Sequence, residues 1–320
     1  MKSAKWYTKE QAETDPEFGS IPKEGSIEEL MEKGIILLDK PFGPQSNQVS
    51  TWIKKELNVK KTGHFGTLDP NATGILPIGV NKGTRASKAM SKTDKEYIFE
   101  AELGEGKNKA KIREVLKSFK GVNRQLPPEK SAVKREERER EAYETELLEV
   151  EEKRILGRVK CESGFYVRVL ISQLGEKLDT EAEMEELRRT QQADISETET
   201  NTLQEIVDAY HYYNEGDEEE LRKVLCPIEK AINHLRKIAI KDSAVNAVAN
   251  GADLGTQGIS KLQDGIKEGE RVAITTLKGE LIALGTAEMT SEQMFDKDDK
   301  AVTLESVHMK PETYPKRWKQ

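Results

Sequence analysis

The first half of the chain carries hydrophobic positions at two different spacings, one typical of helices and the other of strands. Val49, Ile53 and Leu57 recur every four residues and predict an amphipathic helix that begins with Ser46 as its N-cap. Residues 109–121 predict a second amphipathic helix, with a basic outer face. Both helices are expected to bury one side and to expose the other.

Strand patterns alternate with these helices. Residues 35–41 form a short apolar run that predicts a buried strand, and residues 96–103 alternate in polarity as a half-buried strand does. Residues 143–178 predict a strand, a turn, a second strand and then a helix. A short helix that is capped by Ser26 and ended by Gly34 precedes them all. The mixture predicts an α+β fold.

Beyond Lys237 the pattern changes to short apolar runs that are separated by glycines. Small strands at this spacing predict a compact β-barrel, so a domain boundary is expected near Arg236. The predicted organisation is an N-terminal extension over 1–34, a main domain over 35–236 and a small β-barrel domain over 237–320.

Composition narrows the class of protein. The chain has 320 residues, enough for two domains, and its apolar runs are far shorter than the roughly 20 residues that a membrane span requires. No signal peptide is apparent, and Cys161 and Cys226, the only cysteines of the sequence, are far apart. These features favour a cytoplasmic protein without a disulfide framework.

The net charge is −7, yet basic residues are concentrated in one part of the chain. Residues 107–120 contain six basic side chains and one acidic side chain, whereas acids gather in 180–186 and 215–221. A basic zone on an acidic protein is compatible with a polyanionic partner. Solvated helix faces give the same pattern, so the charge alone leaves both interpretations open.

The sequence lacks the common signatures of cofactor and metal sites. It has no phosphate-binding P-loop, and residues 104–109 lack the third glycine of a dinucleotide fingerprint. The four histidines are scattered without the spacing of metal ligands. An enzyme built on this chain is therefore expected to use side chains alone, with no cofactor and no metal.

Asp69 is the strongest catalytic candidate. It is the only acid in residues 63–80, GHFGTLDPNATGILPIGV, and Pro70 restrains its backbone to an extended conformation. A carboxylate held in this way can act as a nucleophile or as a general base. The alternative is that Asp69 only caps the following turn by accepting hydrogen bonds from backbone amides.

Two further segments supply candidates. If residues 163–170, SGFYVRVL, form a strand, Tyr166 and Arg168 lie on one face, and an inward arginine beside a carboxylate favours the ionised acid. Tyr97 is either a core residue or an aromatic platform beneath a nucleobase. An arginine in solvent at the strand edge and a tyrosine in the core are the structural alternatives.

Five motifs occur in an order that points to one enzyme family. They are DKPFGPQS (39–46), KTGHFGTLDPNATGILPIGVNKGTR (61–85), KEYIFEAELG (95–104), SGFYVRVL (163–170) and MEELRRT (184–190). Together they resemble the TruB family of pseudouridine synthases, and within it the archaeal dyskerin-type branch, the catalytic subunit of the box H/ACA guide ribonucleoprotein. The resemblance implies a mixed-sheet catalytic domain followed by a PUA domain, a small RNA-binding β-barrel.

The resemblance also implies roles for individual residues. Asp69 is expected to attack the target uridine, so that the glycosidic bond breaks and the base turns and reattaches through carbon 5. Tyr97 is expected to stack on the base and to help remove the carbon-5 proton, and Arg168 is expected to pair with Asp69. Further substrate contacts are expected from His64, Tyr166, Leu187, Lys130, Lys134 and Arg135. Guide RNA contacts are expected from Gly251, Gly255 and Lys261.

The partners implied by the resemblance are RNA and three proteins. The RNAs are a guide and a ribosomal or transfer RNA substrate. The proteins are a small zinc-ribbon nucleolar protein, the core of a glycine-arginine-rich protein and a kink-turn-binding ribosomal protein, and no membrane partner is expected. Two other functions stay open, a standalone transfer-RNA pseudouridine-55 synthase and an RNA-binding scaffold with an inactive site.

The chain departs from the family pattern near the expected site. Phe65 stands where the family usually has a small residue or threonine, Gln45 replaces a threonine and Asn71 replaces a common lysine. After LRRT the family usually has a glycine and an aromatic residue, whereas this chain has QQADIS at 191–196. These changes leave Asp69 in place but alter its surroundings.

Overall fold

The computed structural model describes residues 4–128 and 134–316. The helices are α1 (Ile27–Lys33), α2 (Ser46–Glu56), α3 (Ser87–Met90), α4 (Lys109–Lys117), α5 (Val167–Lys177), α6 (Leu203–Asn214), α7 (Glu219–Val224), α8 (Asp242–Ala249) and α9 (Gln293–Asp296). The strands are β1 (Trp6–Thr8), β2 (Ile35–Lys40), β3 (Thr62–His64), β4 (Ala72–Val80), β5 (Lys95–Leu103), β6 (Gly121–Gln125), β7 (Arg138–Glu151), β8 (Arg154–Cys161), β9 (Ala182–Gln192), β10 (Ile195–Ser196), β11 (Leu225–Cys226), β12 (Arg236–Ile240), β13 (Leu254–Gly255), β14 (Ile259–Gln263), β15 (Arg271–Thr275), β16 (Leu281–Ala287) and β17 (Lys300–Val307). None of the described helices is long and apolar enough to cross a membrane.

The contacts among these residues divide the chain into two compact units. Unit II holds the described residues of 36–78 and 90–224, and unit I holds those of 1–35, 79–89 and 225–320. Residues 225–235 therefore belong to unit I, although the sequence pattern predicts a boundary near Arg236. Unit I also includes residues 79–89, which the sequence pattern assigns to the main domain.

Unit II is built on a mixed sheet with the strand order β2-β4-β9-β5-β8-β7-β6. Strands β4 and β9 are parallel, and the strands from β9 to β6 pair antiparallel. Helices α4 and α5 pack on this sheet through a hydrophobic cluster that includes Phe99, Leu116, Leu170 and Leu174. The predicted strand at 96–103 and the predicted helix at 109–121 are confirmed by β5 and α4.

The prediction of a strand through Tyr166 and Arg168 was wrong, because α5 begins at Val167. Val167, Leu170 and Ile171 are buried at helical spacing, whereas Arg168 is exposed. Over so short a segment, apolar residues on alternate positions fit a strand and a helix equally well. The burial pattern of the following turns distinguishes the two.

The serine caps of α1 and α2 differ from each other. Ser26 caps α1 as predicted, since its Oγ accepts a hydrogen bond from the Glu29 amide at 3.2 Å. The predicted cap at Ser46 was wrong, because Ser46 is the first helical residue of α2 and Gln45 precedes it as the N-cap. The hydroxyl of Ser46 instead bonds to Leu68, in the loop that carries Asp69.

Unit I contains a second sheet with the order β1-β14-β12-β15-β16-β17-β13. Strands β12 and β15 are parallel, and the other neighbours are antiparallel. Residues from both ends of the chain meet in this unit, since β1 pairs with β14. In addition, the Thr14 hydroxyl and the Asp15 amide donate to Asp242 Oδ2 at 3.0 and 2.9 Å.

Replacing Lys278 by alanine is expected to loosen residues 15–19. The Lys278 ammonium donates to the carbonyl oxygens of Asp15 at 2.9 Å and of Phe18 at 2.5 Å, and hydrogen bonds from charged groups contribute roughly 1.5–3 kcal/mol each. Amide hydrogen exchange at 15–19 should therefore accelerate by about tenfold or more. The control is Lys267→Ala, an exposed lysine of the same unit, and equal exchange in the two variants would contradict the expectation.

Candidate active site

Asp69 lies in the loop between β3 and β4, residues 65–71, which we call the Asp69 loop. The Phe65 amide donates to a carbonyl oxygen of β4 at 2.9 Å and fixes the start of the loop. The Ser46 hydroxyl accepts from the Leu68 amide and donates to the Leu68 carbonyl, both at 2.8 Å. Helix α2 therefore fixes the residue directly before Asp69.

Lys40 holds the other side of the loop. This residue is fully buried, and its ammonium donates to the carbonyl oxygens of Pro41, Pro70 and Ala72 at 2.8, 3.2 and 2.8 Å. Burial lowers the pKa of Lys40, and the nearby charge of Asp69 opposes that shift. Lys40 was not predicted from the sequence, although a lysine at the end of an apolar strand pattern is a signal that could have been followed.

Asp69 and Arg168 form an ion pair, with 2.9 Å between Arg168 Nη2 and Asp69 Oδ2. The two side chains are 57% and 46% exposed, so the pair contributes only about 0–1 kcal/mol to stability. The Asp69 carboxylate thus accepts a hydrogen bond from the Arg168 guanidinium. If Asp69 only capped the following turn, the donor would be a backbone amide of that turn. The effect of the pair is to orient the carboxylate at the first turn of α5.

Tyr97 lies opposite Arg189 in the β5–β9 pair. Arg189 is 1% exposed, and it donates from Nε to the Ile75 carbonyl at 2.8 Å and from Nη2 to the Gly66 carbonyl at 3.3 Å. Burial raises the pKa of Tyr97, and the positive charge of Arg189 opposes the shift. Tyr97 is therefore a neutral phenol at neutral pH, and Arg189 connects it to the Asp69 loop.

Strand β9 also supports the residues that follow Asp69. Ala72 pairs with Leu187 in parallel register, and both Leu187 and Tyr97 pack against the hydrophobic cluster of unit II. Gly74 has φ +97°, and a Cβ atom at this position would lie 2.2 Å from the Arg189 carbonyl oxygen. The glycine therefore permits close approach of β4 to β9.

His64 and Tyr166 lie at the two edges of this region, and each is fixed by a polar partner. His64 Nε2 contacts Asn47 Oδ1 at 2.9 Å, and burial followed by the charge of Arg189 lowers the pKa of His64, so the ring is neutral at neutral pH. The Tyr166 amide donates to Gln125 Oε1 at 2.9 Å, and its carbonyl accepts from Gln125 Nε2 at 3.0 Å. This double contact fixes the start of α5.

Gln192 is a further residue that the sequence did not single out as functional. It is fully buried, and its Nε2 donates to the Phe65 carbonyl at 2.7 Å and to the Met90 carbonyl at 3.2 Å. Phe65 is itself buried at 1% exposure. Two departures from the family pattern, Phe65 and the segment after LRRT, are therefore in direct contact.

The remaining predicted RNA contacts are distributed over both units. Lys130 lies outside the described residues, whereas Lys134 pairs with Glu136 and the exposed Arg135 follows it in unit II. Gly251, Gly255 and Lys261 belong to unit I. Gly251 has φ +97°, and no heavy atom of the described residues beyond Gly251 and its two chain neighbours lies within 4 Å of the place that a Cβ atom would take. Lys261 is an exposed residue of β14.

The structure thus brings Asp69 and Arg168 into contact and links Tyr97 and Leu187 to them through β9. An oriented carboxylate beside a neutral phenol and an apolar side chain can attack or deprotonate a flat, uncharged group. The fold and the site define a class of protein, an α+β enzyme that carries a preorganised aspartate on a rigid loop.

Family models match nearly the whole chain. The N-terminal domain of TruB family pseudouridylate synthase matches residues 54–167, and the C-terminal domain of tRNA pseudouridylate synthase B matches 168–233. The PUA domain matches 236–308, and the DKCLD (NUC011) domain matches 2–50. The chain is 45% identical to a probable tRNA pseudouridine synthase B of Methanocaldococcus jannaschii over 98% of its own length and 94% of that protein. The corresponding Pyrococcus furiosus protein is 48% identical, with 97% and 92% covered.

Solved structures give the same assignment. A Cbf5-Nop10-Gar1 complex matches with a TM-score of 0.94 and 46% identity over 98% of this chain and 97% of that one. An H/ACA RNP bound to a substrate RNA containing 2′-deoxyuridine matches with a TM-score of 0.93 and 44% identity, over 99% and 98% of the two chains. The chain belongs to the TruB family of pseudouridine synthases, with DKCLD and PUA domains, and it is an RNA pseudouridine synthase.

The variant Lys40→Met is expected to destabilise unit II, because it removes the donor for three carbonyl oxygens around the Asp69 loop and keeps much of the apolar stem. The free energy of unfolding should fall by about 2–5 kcal/mol, measured by denaturant titration. Lys55→Met changes an exposed lysine on α2 of the same unit and should cost less than about 0.5 kcal/mol. Similar losses in both variants would mean that the carbonyl contacts of Lys40 contribute little.

Proposed function

We propose that this protein converts uridine to pseudouridine in ribosomal RNA as the catalytic subunit of a box H/ACA guide ribonucleoprotein. The observation that carries the proposal is the full-length similarity to Cbf5 chains in complexes with Nop10, Gar1 and substrate RNA. The similarity includes the N-terminal DKCLD region and the PUA domain as well as the catalytic region.

In the proposed reaction Asp69 attacks the target uridine, and the glycosidic bond breaks. The detached uracil turns while it is still held and reattaches to the ribose through carbon 5, and the bond to Asp69 breaks, so that the free carboxylate is restored. Carbon 5 then loses its proton to solvent as the nitrogen left at position 1 gains one. Arg168 keeps the carboxylate in position through the 2.9 Å ion pair. Substrate and product are isomers, so the chemistry consumes neither an oxidant nor an energy source.

Tyr97 stacks on the base in this scheme and helps to remove the carbon-5 proton. Its raised pKa supports a neutral ring beside the uracil, and the pairing of Tyr97 with Arg189 across β5 and β9 fixes its backbone position. Stacking of a base on an aromatic side chain contributes roughly 1–3 kcal/mol, which offsets much of the few kcal/mol needed to flip a base from its stack. Tyr166 and Leu187 complete the uracil pocket, and His64 supports the loop next to it.

Guide and substrate RNA are assigned to different parts of the chain. Lys130, Lys134 and Arg135 contact substrate phosphates, and the C-terminal domain over 237–320 binds the guide RNA. Gly251, Gly255 and Lys261 belong to the guide-binding surface of that domain. Open space around Gly251 supports close approach of an RNA backbone.

The proposed partners follow from the same similarity. They are the guide RNA, a zinc-ribbon protein of the Nop10 type and a glycine-arginine-rich protein core of the Gar1 type. A kink-turn-binding ribosomal protein is added on the resemblance of the sequence motifs alone. We place the particle in the cytoplasm, and the absence of a disulfide at Cys161 and Cys226 is consistent with that reducing compartment.

A second candidate function is the guide-independent modification of transfer RNA at uridine 55. The names of the archaeal relatives, probable tRNA pseudouridine synthase B, favour it. Release of tritium from carbon-5-labelled uridine distinguishes the two functions, because pseudouridine formation frees this hydrogen. Release from a matched ribosomal fragment only with guide RNA and accessory proteins supports the proposal. Release from transfer RNA by the protein alone supports the second function.

The variant Asp69→Asn is expected to lose tritium release and to keep its RNA affinity within about tenfold. Neutralising one carboxylate removes the nucleophile but adds no repulsion toward a polyanion. Turnover and filter-binding affinity, measured on the same preparation, check the two parts. Retained turnover contradicts the catalytic assignment of Asp69, and loss of RNA binding alone would give it a binding role instead.

A further inference from the structure

An open cleft lies beside the Asp69 loop, between α2 and β3. Four of its lining residues, Asn47, Ser50, Thr51 and Lys54, follow the spacing of one helical face. The opposite side of α2 is buried through Val49 and Ile53. The cleft has a volume of about 480 Å³, which is within the range of roughly 300–1,000 Å³ for small-ligand sites.

Polar contacts fix the two walls of the cleft to each other. The Ser50 hydroxyl donates to Thr62 Oγ1 at 3.0 Å, and Thr62 Oγ1 donates to the Ser50 carbonyl at 2.8 Å. His64 Nε2 contacts Asn47 Oδ1 at 2.9 Å, which leaves the amide NH₂ of Asn47 as a donor. The cleft is therefore a defined surface with fixed walls.

The cleft is positively charged. Its lining residues, all of them described, include Lys54, Lys60 and Lys61 and no aspartate or glutamate. All three lysines are exposed, on a protein whose net charge is −7. Concentration of one sign of charge in a concave surface attracts a ligand of the opposite sign.

The position of the cleft relates it to the reaction. Asn47 and His64 line the cleft and contact each other at 2.9 Å. Ser46, the residue before Asn47, bonds to Leu68, the residue before Asp69. A chain that places one nucleotide at Asp69 must continue on either side of the site with charged phosphodiester groups. The lysines of the cleft are exposed on the same side of α2 that such a chain would pass.

We propose that this cleft binds the phosphodiester backbone of the substrate strand next to the target uridine. The lysine ammonium groups and the Asn47 amide bind phosphate oxygens, which positions the strand but does not select its sequence. The inference rests on the proposed function for the identity of the strand. A guide strand has the same chemistry, so the experiment separates the two RNAs.

The test is the triple variant Lys54→Gln, Lys60→Gln, Lys61→Gln in the assembled particle with a guide-matched ribosomal fragment. We expect KM for the substrate strand to rise by roughly tenfold or more at physiological salt, with kcat changed less than about threefold. The salt dependence of log(kcat/KM) should become shallower by about 2, since a single-strand phosphate contact contributes about 0.7 to the slope.

The matched control is Lys109→Gln, Lys111→Gln, Lys117→Gln, which removes the same charge from exposed positions of α4 in the same unit. An equal rise in KM in this control overturns the proposal in favour of general electrostatic attraction. A weaker guide RNA affinity with unchanged substrate KM also overturns it, because the occupant is then the guide. Unfolding midpoints within about 2 °C of the parent protein establish that both variants fold.

A binding measurement keeps the inference separate from the proposed function. The Asp69→Asn protein is titrated with a single-stranded oligoribonucleotide that contains the target uridine, with and without the three lysine changes of the cleft. A tenfold or greater loss of affinity supports RNA binding by the cleft, even if the unmodified particle shows no guide-dependent turnover. Unchanged affinity overturns RNA binding by the cleft, even if turnover is normal.

Discussion

The arrangement of the site depends on how the carbonyl oxygens around Asp69 find hydrogen-bond donors. A loop that turns sharply within 65–71 cannot satisfy these groups with its own amides, and a buried carbonyl without a donor costs about 1–3 kcal/mol. Lys40, Ser46, Arg189 and Gln192 supply the donors from side chains of β2, α2 and β9. Each contact therefore fixes both the fold and the position of Asp69.

This solution places two buried cations beneath an exposed carboxylate. Burial lowers the pKa of both Lys40 and Arg189, and carbonyl oxygens surround each of them. The Asp69–Arg168 pair itself is too exposed to stabilise the fold by much, so its contribution is orientation. The rigid part of the site therefore consists of the buried Lys40 and Arg189, and the exposed part is the Asp69–Arg168 pair, which RNA can reach.

The sequence predicts the parts of this structure that depend on regular patterns. Long amphipathic or alternating segments such as α4 and β5 are predicted correctly, because many positions agree on one spacing. The start of α5 is not, because Tyr166 and Arg168 alternate over too few residues to separate a helix from a strand. Serine is a common N-cap residue, but the Ser46 hydroxyl instead donates to the Leu68 carbonyl, in a loop that is distant in sequence.

The supporting residues of the site are harder to predict than the reacting ones. Asp69 is the only acid in an apolar segment, and Arg168 is the only charged residue in another, so the sequence identifies both as candidates. Lys40 and Gln192 resemble ordinary polar residues at strand ends until the fold brings them to the carbonyl oxygens of the Asp69 loop. Gln192 contacts the backbone of Phe65, so two unusual residues that are far apart in the sequence form one contact.

The scaffold fixes the position of the Asp69 carboxylate, and catalysis is expected to depend on that position as well as on the negative charge. The most direct test is single-turnover pseudouridine formation by Asp69→Glu, which keeps the charge and moves the carboxylate by one methylene group. The account predicts a loss of at least about 10²-fold in rate at saturating RNA, with RNA affinity retained. A rate within tenfold of the parent enzyme would contradict it, because charge alone would then be sufficient.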